Sequence, residues 1–110
     1  MHNKPLESDW KIYRERVSEW RERYLEKKNQ EIVAILEDEG KTPTERFWEA
    51  RRAMDEEADI LTTCLDGHSR SKMSWNLLLM HGHGLVLDED LEEFSDGLRE
   101  SILRSSRELP

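Results

Sequence analysis

The segment from Ser8 to Glu39, SDWKIYRERVSEWRERYLEKKNQEIVAILEDE, contains neither Pro nor Gly and sets Trp10, Tyr13, Val17, Trp20 and Tyr24 at steps of three and four. That spacing stacks side chains along one face of a helix, so the segment reads as a single long amphipathic helix. At 1.5 Å per residue it would reach roughly 48 Å. A compact chain of this size has a radius of gyration near 13 Å and spans about 35 Å, so the helix outruns any core of its own. It must bend, or belong to an elongated bundle, or have its protruding stripe covered by a second copy. Its apolar pattern changes register after Tyr24. Leu25 is followed by the polar run Glu26–Glu31, then by Ile32, Val33, Ile35 and Leu36. A bend, or the passage from one core into another, is expected at that run. Ser8 or Asp9 can cap the start, and Gly40 can take the left-handed conformation that ends a helix.

Three more helices follow. In Thr42-Pro43-Thr44-Glu45, Thr42 is the expected N-cap, Pro43 the first helical residue and Glu45 the partner that closes a capping box. Phe47, Ala50, Met54, Ala58, Leu61 and Leu65 then mark one buried face until Asp66-Gly67. From Arg70 to His81 the third helix is apolar nearly all round and is expected at the centre, enclosed by the others. The fourth begins at the cap Asp88 and carries Leu91, Phe94, Leu98 and Ile102 on one stripe, with Gly97 permitting a close helix contact. The expected fold is all-α: an elongated four-helix bundle with a long first helix, a capped second, a short buried third and an acidic fourth. The whole of residues 1–110 reads as one domain, with 1–7 and 106–110 frayed.

Composition narrows the function. At 35% hydrophobic and 38% charged the chain can afford one thin core, and periodic apolar stripes argue against disorder. No apolar run approaches the roughly 18 residues of a membrane span, and Met1–Asp9 lacks the apolar segment of a signal peptide. A cytoplasmic protein without a membrane partner is expected. Cys64, the single cysteine, agrees with a reducing compartment. The net charge of −8 is unevenly placed: residues 1–30 carry eight Lys/Arg against six Asp/Glu, residues 31–59 four against ten. Overall acidity disfavours nucleic acid, whose binding rests on cations that displace counterions. The basic, aromatic N-terminal part can instead dock on an acidic partner, including the acidic half of a second copy.

Specific chemistry is thinly signalled. Cys64, His68, His81 and His83 are metal-ligand types, but a helix of about 12 residues would hold the two pairs roughly 18 Å apart, and paired zinc-ligand spacing is missing. Gly67-His68-Ser69-Arg70-Ser71-Lys72 offers a helix start with hydroxyls and cations, so Ser69, Arg70, Ser71 and Lys72 form a candidate anion or phosphate site. Ser69 and Lys72 also spell S-x-x-K without the companion elements that acyl transfer requires. The acids of the first, second and fourth helices fall mainly opposite the apolar stripes, which marks solvated surface, and Glu93 sits where a calcium loop needs Gly. The turn between the second and third helices lacks the apolar positions of a DNA-binding helix-turn-helix, because Asp66 and His68 occupy them.

No nucleophile has an evident base and orienting partner, so an enzyme ranks last, and no cofactor is implied. The sequence therefore reads as a non-enzymatic interaction or regulatory module, a homodimer or a binder of another protein, whose interface is the stripe Trp10, Tyr13, Val17, Trp20 and Tyr24. The alternative is a regulator that binds a small anion at Ser69–Lys72 or a transition metal at the Cys64/His cluster.

Overall fold

In the computed structural model, residues 6–65 and 69–108 are described, and they form an all-α fold with no strand among them. The expected stop at Asp66-Gly67 lies outside the described residues, as does His68. Helix α1 spans Glu7–Leu36, α2 Pro43–Leu65, α3 Met73–His83 and α4 Asp96–Glu108; single 3₁₀ segments cover Arg70–Lys72 and Asp88–Glu93. The molecule is 55 × 28 × 23 Å with a radius of gyration of 16.6 Å, well above the roughly 13 Å of a compact chain this long. The chain is elongated, and α1 runs helically without a break through Glu26–Glu31.

Both ends of α1 differ from expectation. The helix starts at Glu7, so Ser8 and Asp9 lie inside its first turn, and Asp9 is buried and serves a distant partner instead of its own backbone. It stops at Leu36, four residues before Gly40, which does not adopt a positive φ. Asp38 makes the turn: its side chain accepts from the Gly40 N–H at 3.0 Å and its carbonyl from the Lys41 N–H at 3.2 Å. A short side chain that bonds backbone two residues on competes with continued helix at this point. Helix α2 opens as the sequence dictates. The Thr42 N–H donates to Glu45 at 2.8 Å, and the Glu45 N–H donates to the Thr42 hydroxyl at 3.1 Å.

The core gathers Tyr13, Val17, Trp20 and Tyr24 of α1 with Cys64 of α2, Met73, Leu77 and Met80 of α3, and Leu85, Val86, Leu91, Phe94 and Ile102 beyond. Burial of each large apolar side chain contributes about 1.5–3 kcal/mol. The third helix is less enclosed than its composition implies, since Trp75 is 60% exposed. It ends at Gly84, whose φ of 89° is left-handed, and the Leu85 N–H closes the cap on the Met80 carbonyl at 2.9 Å. The expected single helix from Asp88 is two pieces. Phe94 is extended, which brings its ring to 6.2 Å from that of Trp20, and Ser95 begins α4 anew. Gly97 faces open space, so no close helix contact depends on it. Residues 106–108, expected to fray, continue α4, and Ser106 is bonded to His81.

Candidate functional site

The stripe assigned to an interface is occupied within the chain. Tyr13, Val17, Trp20 and Tyr24 are all under 10% exposed and lie in the core, and Trp10 packs against it, stacked on Tyr13 at 5.8 Å. Helix length alone shows that α1 overhangs something; it does not show which end is left uncovered. The uncovered end is the other one.

Helices α1 and α2 form an antiparallel hairpin, recorded by the Tyr24 hydroxyl donating to Glu57 and by Arg46 donating to the Leu36 carbonyl at 2.9 Å. The main core reaches no farther up this hairpin than Leu25 on α1 and Ile60 on α2. Above it, Ile32 and Ala50 are the buried apolar residues, and neither belongs to the main core. They mark the sides that the two helices turn toward each other. At about 100° per residue, Val33 and Leu36 sit roughly 100° and 40° round α1 from Ile32, while the core stripe sits about 60–120° round in the opposite sense. On α2, Phe47 and Met54 sit roughly 60° and 40° round from Ala50, in the sense that an antiparallel neighbour places on the same face as Val33 and Leu36.

These four residues, 44–56% exposed, therefore share one face of the hairpin, turned away from the core stripe. Trp48, 52% exposed, stands at its outer edge, with its ring edge-on to Phe47 at 5.0 Å and under the Arg51 guanidinium at 5.7 Å. Side chains of this size, half exposed, leave on the order of 100 Å² each. Five of them approach the roughly 300–600 Å² of the largest patch on a typical monomer, a patch that is often functional.

The candidate anion residues are partly engaged with one another and with Glu7. Ser69 makes no capping bond, and Arg70–Lys72 is one 3₁₀ turn in place of the start of an α-helix. Ser69 and Ser71 bond each other at 3.3 Å, and Arg70 is taken by Glu7 at 2.5 Å while lying over the Trp10 ring. Of the candidate metal ligands, Cys64 and His81 are engaged within the fold, His83 has no side-chain partner among the described residues, and His68 lies outside them. Cys64 is fully buried, and burial pushes its thiol up to about 11. His83 is exposed, and no group of three or more metal-ligand side chains occurs among the described residues.

His81 shows an arrangement that sequence reading missed. Its Nδ1 meets the Ser106 hydroxyl at 2.8 Å and its Nε2 the Asp88 carboxylate at 2.6 Å. The set is Ser, His and Asp, yet the Asp88 side chain is 76% exposed. The N–H groups of Gly84, Leu85 and Val86, the nearest backbone donors in sequence, are spent on carbonyls of α3. Without a sheltered carboxylate or free oxyanion donors the set lacks what acyl transfer needs; it ties α3, the Asp88 turn and α4 together. No local sequence signal marks it, because Ser106 lies 25 residues from His81.

No family model matches the chain, and no curated protein or solved structure matches it either. Among the described residues, no helix is long and apolar enough to cross a membrane.

Proposed function

We propose that this chain is a non-enzymatic interaction module that pairs with a second copy of itself through the free face of the α1–α2 hairpin. The observation that carries this reading is the switch of apolar register along α1. Below Leu25 the apolar side faces the chain's own core; from Val33 onward it faces solvent beside Phe47 and Met54. A two-fold axis that sets two such faces together makes an antiparallel four-helix arrangement, with each apolar patch closing the other.

Charge bears on self-pairing. Residues 31–59 carry ten acids against four bases, but the helical positions of Glu49 and Glu57 turn them off the face, and both are engaged, by Lys41 and Tyr24. Arg51 on the face is paired with Asp55 at 3.6 Å. The remaining excess of acid is a like-charge cost that the apolar contact has to offset. A cytoplasmic setting belongs to the same reading, supported by the single buried thiol of Cys64.

Sedimentation velocity on wild-type protein and on a Phe47→Glu variant tests the proposal. Phe47 is 56% exposed, so the substitution leaves the monomer fold intact. Wild-type dimer that dissociates in the variant supports the reading; an equally dimeric variant, or a monomeric wild type, refutes it.

A further inference from the structure

A cleft of about 200 Å³ lies where α1 passes the end of α3, at the opposite end of α3 from the candidate anion site read from the sequence. Its walls include Arg23, Lys27, Lys28 and His83, with Tyr24 and Leu87 supplying apolar surface, and no carboxylate lines it. In a chain where 25 acids outnumber 17 Lys/Arg, a concavity with four basic side chains on its wall stands out, although Asp90 pairs with Arg23, and Glu31 and Glu57 with Lys28, from beside it.

The four basic groups divide into two kinds. Arg23 is fixed: it donates to Asp90 at 3.2 and 2.6 Å and to the Leu85 carbonyl at 3.0 Å. Lys28 is loosely held, 3.4 Å from Glu31 and 3.9 Å from Glu57, with its ammonium 5.3 Å from the centre of the Tyr24 ring. Lys27 and His83 make no hydrogen bond or ion pair with any described residue. A charged group on a long side chain with no partner at the mouth of a concavity is free to close on an anion, and the low-dielectric walls on either side strengthen that attraction.

We propose that this cleft binds a phosphate group, engaged directly by Lys27 and His83, with Lys28 turning toward it from its long contacts to Glu31 and Glu57. Size sets the class. At about 200 Å³ the cleft falls below the roughly 300–1,000 Å³ of sites that enclose drug-sized ligands, so it takes inorganic phosphate or a small phosphomonoester whose organic part rests on Leu87. The proposal is independent of self-association, since none of these residues belongs to the hairpin face.

The test is a titration of the full chain with inorganic phosphate at constant ionic strength, followed by backbone amide shifts, with sodium chloride as the control. Saturable shifts confined to residues 23–28 and 83–87 are expected, and the double variant Lys27→Ala/His83→Gln weakens binding by about tenfold or more, some 1.4 kcal/mol. Lys41→Ala removes a lysine already paired with Glu49 and leaves affinity unchanged. Shifts that chloride reproduces, shifts spread over the surface cations, or equal affinity in the double variant overturn the proposal. Repeating the titration with O-phosphoserine separates the two sources: matching shifts make the phosphate group the determinant, and added shifts at Leu87 assign the organic part.

Discussion

Asp9, in the first turn of α1, accepts two hydrogen bonds from Ser95, 86 residues away: one from the backbone N–H at 2.8 Å and one from the hydroxyl at 2.6 Å. The carboxylate is 3% exposed, and it stands where the helix would need an acceptor if α1 ended there. It instead clamps the start of α4 to the start of α1, and Ser95 in turn offers its carbonyl to the Arg99 N–H at 3.0 Å. Asp9→Ala leaves the half-buried Ser95 N–H and hydroxyl without their charged acceptor, at a cost of about 1.5–3 kcal/mol. Ser95→Ala keeps the backbone bond and costs about 1 kcal/mol. Urea midpoints of the two variants against wild type check the order; Ser95→Ala proving the more damaging would contradict it.

Acid should weaken the fold through Asp90. Burial raises the pKa of this carboxyl, but the Arg23 hydrogen bond, the Leu87 N–H and the Arg23 charge outweigh burial and hold it below its ordinary value. A group whose folded value lies below its unfolded one contributes stability above the unfolded value and loses it as pH falls through the folded value. The Asp90 contribution is therefore whole at neutral pH, begins to fall at about pH 4, the ordinary carboxylate range, and is lost once pH lies below the lowered folded value. Stability measured against pH in Asp90→Asn should lack that part of the acid slope; an unchanged slope would show that other carboxylates carry it.

Cys64 should be inert in the folded protein. Its thiol is buried in the core and pushed up to about 11, so at neutral pH it stays protonated and unreactive. A disulfide reagent should label it only as fast as the chain opens, and at once in denaturant. Rapid labelling of native protein would place the thiol outside the core.

Trp20 and Phe47 should separate stability from association. Trp20 is 2% exposed, so Trp20→Ala creates a cavity and costs about 3–5 kcal/mol of fold stability. Phe47→Ala should change thermal stability little at concentrations where the chain is monomeric. Comparable losses from both would make the hairpin face part of the core.

Local chemistry was legible in the sequence, and distant pairing was not. The Thr42–Glu45 capping box is written in four consecutive residues and forms as read. The aromatic stripe of α1 is equally legible, and so is its change of register after Tyr24. The direction in which Val33 and Leu36 point became meaningful only once α2 had been laid alongside, because a face is defined by its neighbour. The same holds for Asp9 with Ser95 and for His81 with Ser106: Asp9 reads as a cap and His81 as a helix end, and each bonds a remote partner. The stop of α1 depended on Asp38, whose side chain turns the backbone before Gly40 is reached. The cleft beside Lys27 joins residues some sixty positions apart and has no signature in the chain.

If the hairpin face is an interface between two copies, light scattering across a dilution series of the wild-type protein reads it out as solution mass. The mass should lie near twice the 13.1 kDa chain and fall toward one chain on dilution. A mass of one chain at every concentration, up to the highest that stays clear, would contradict it.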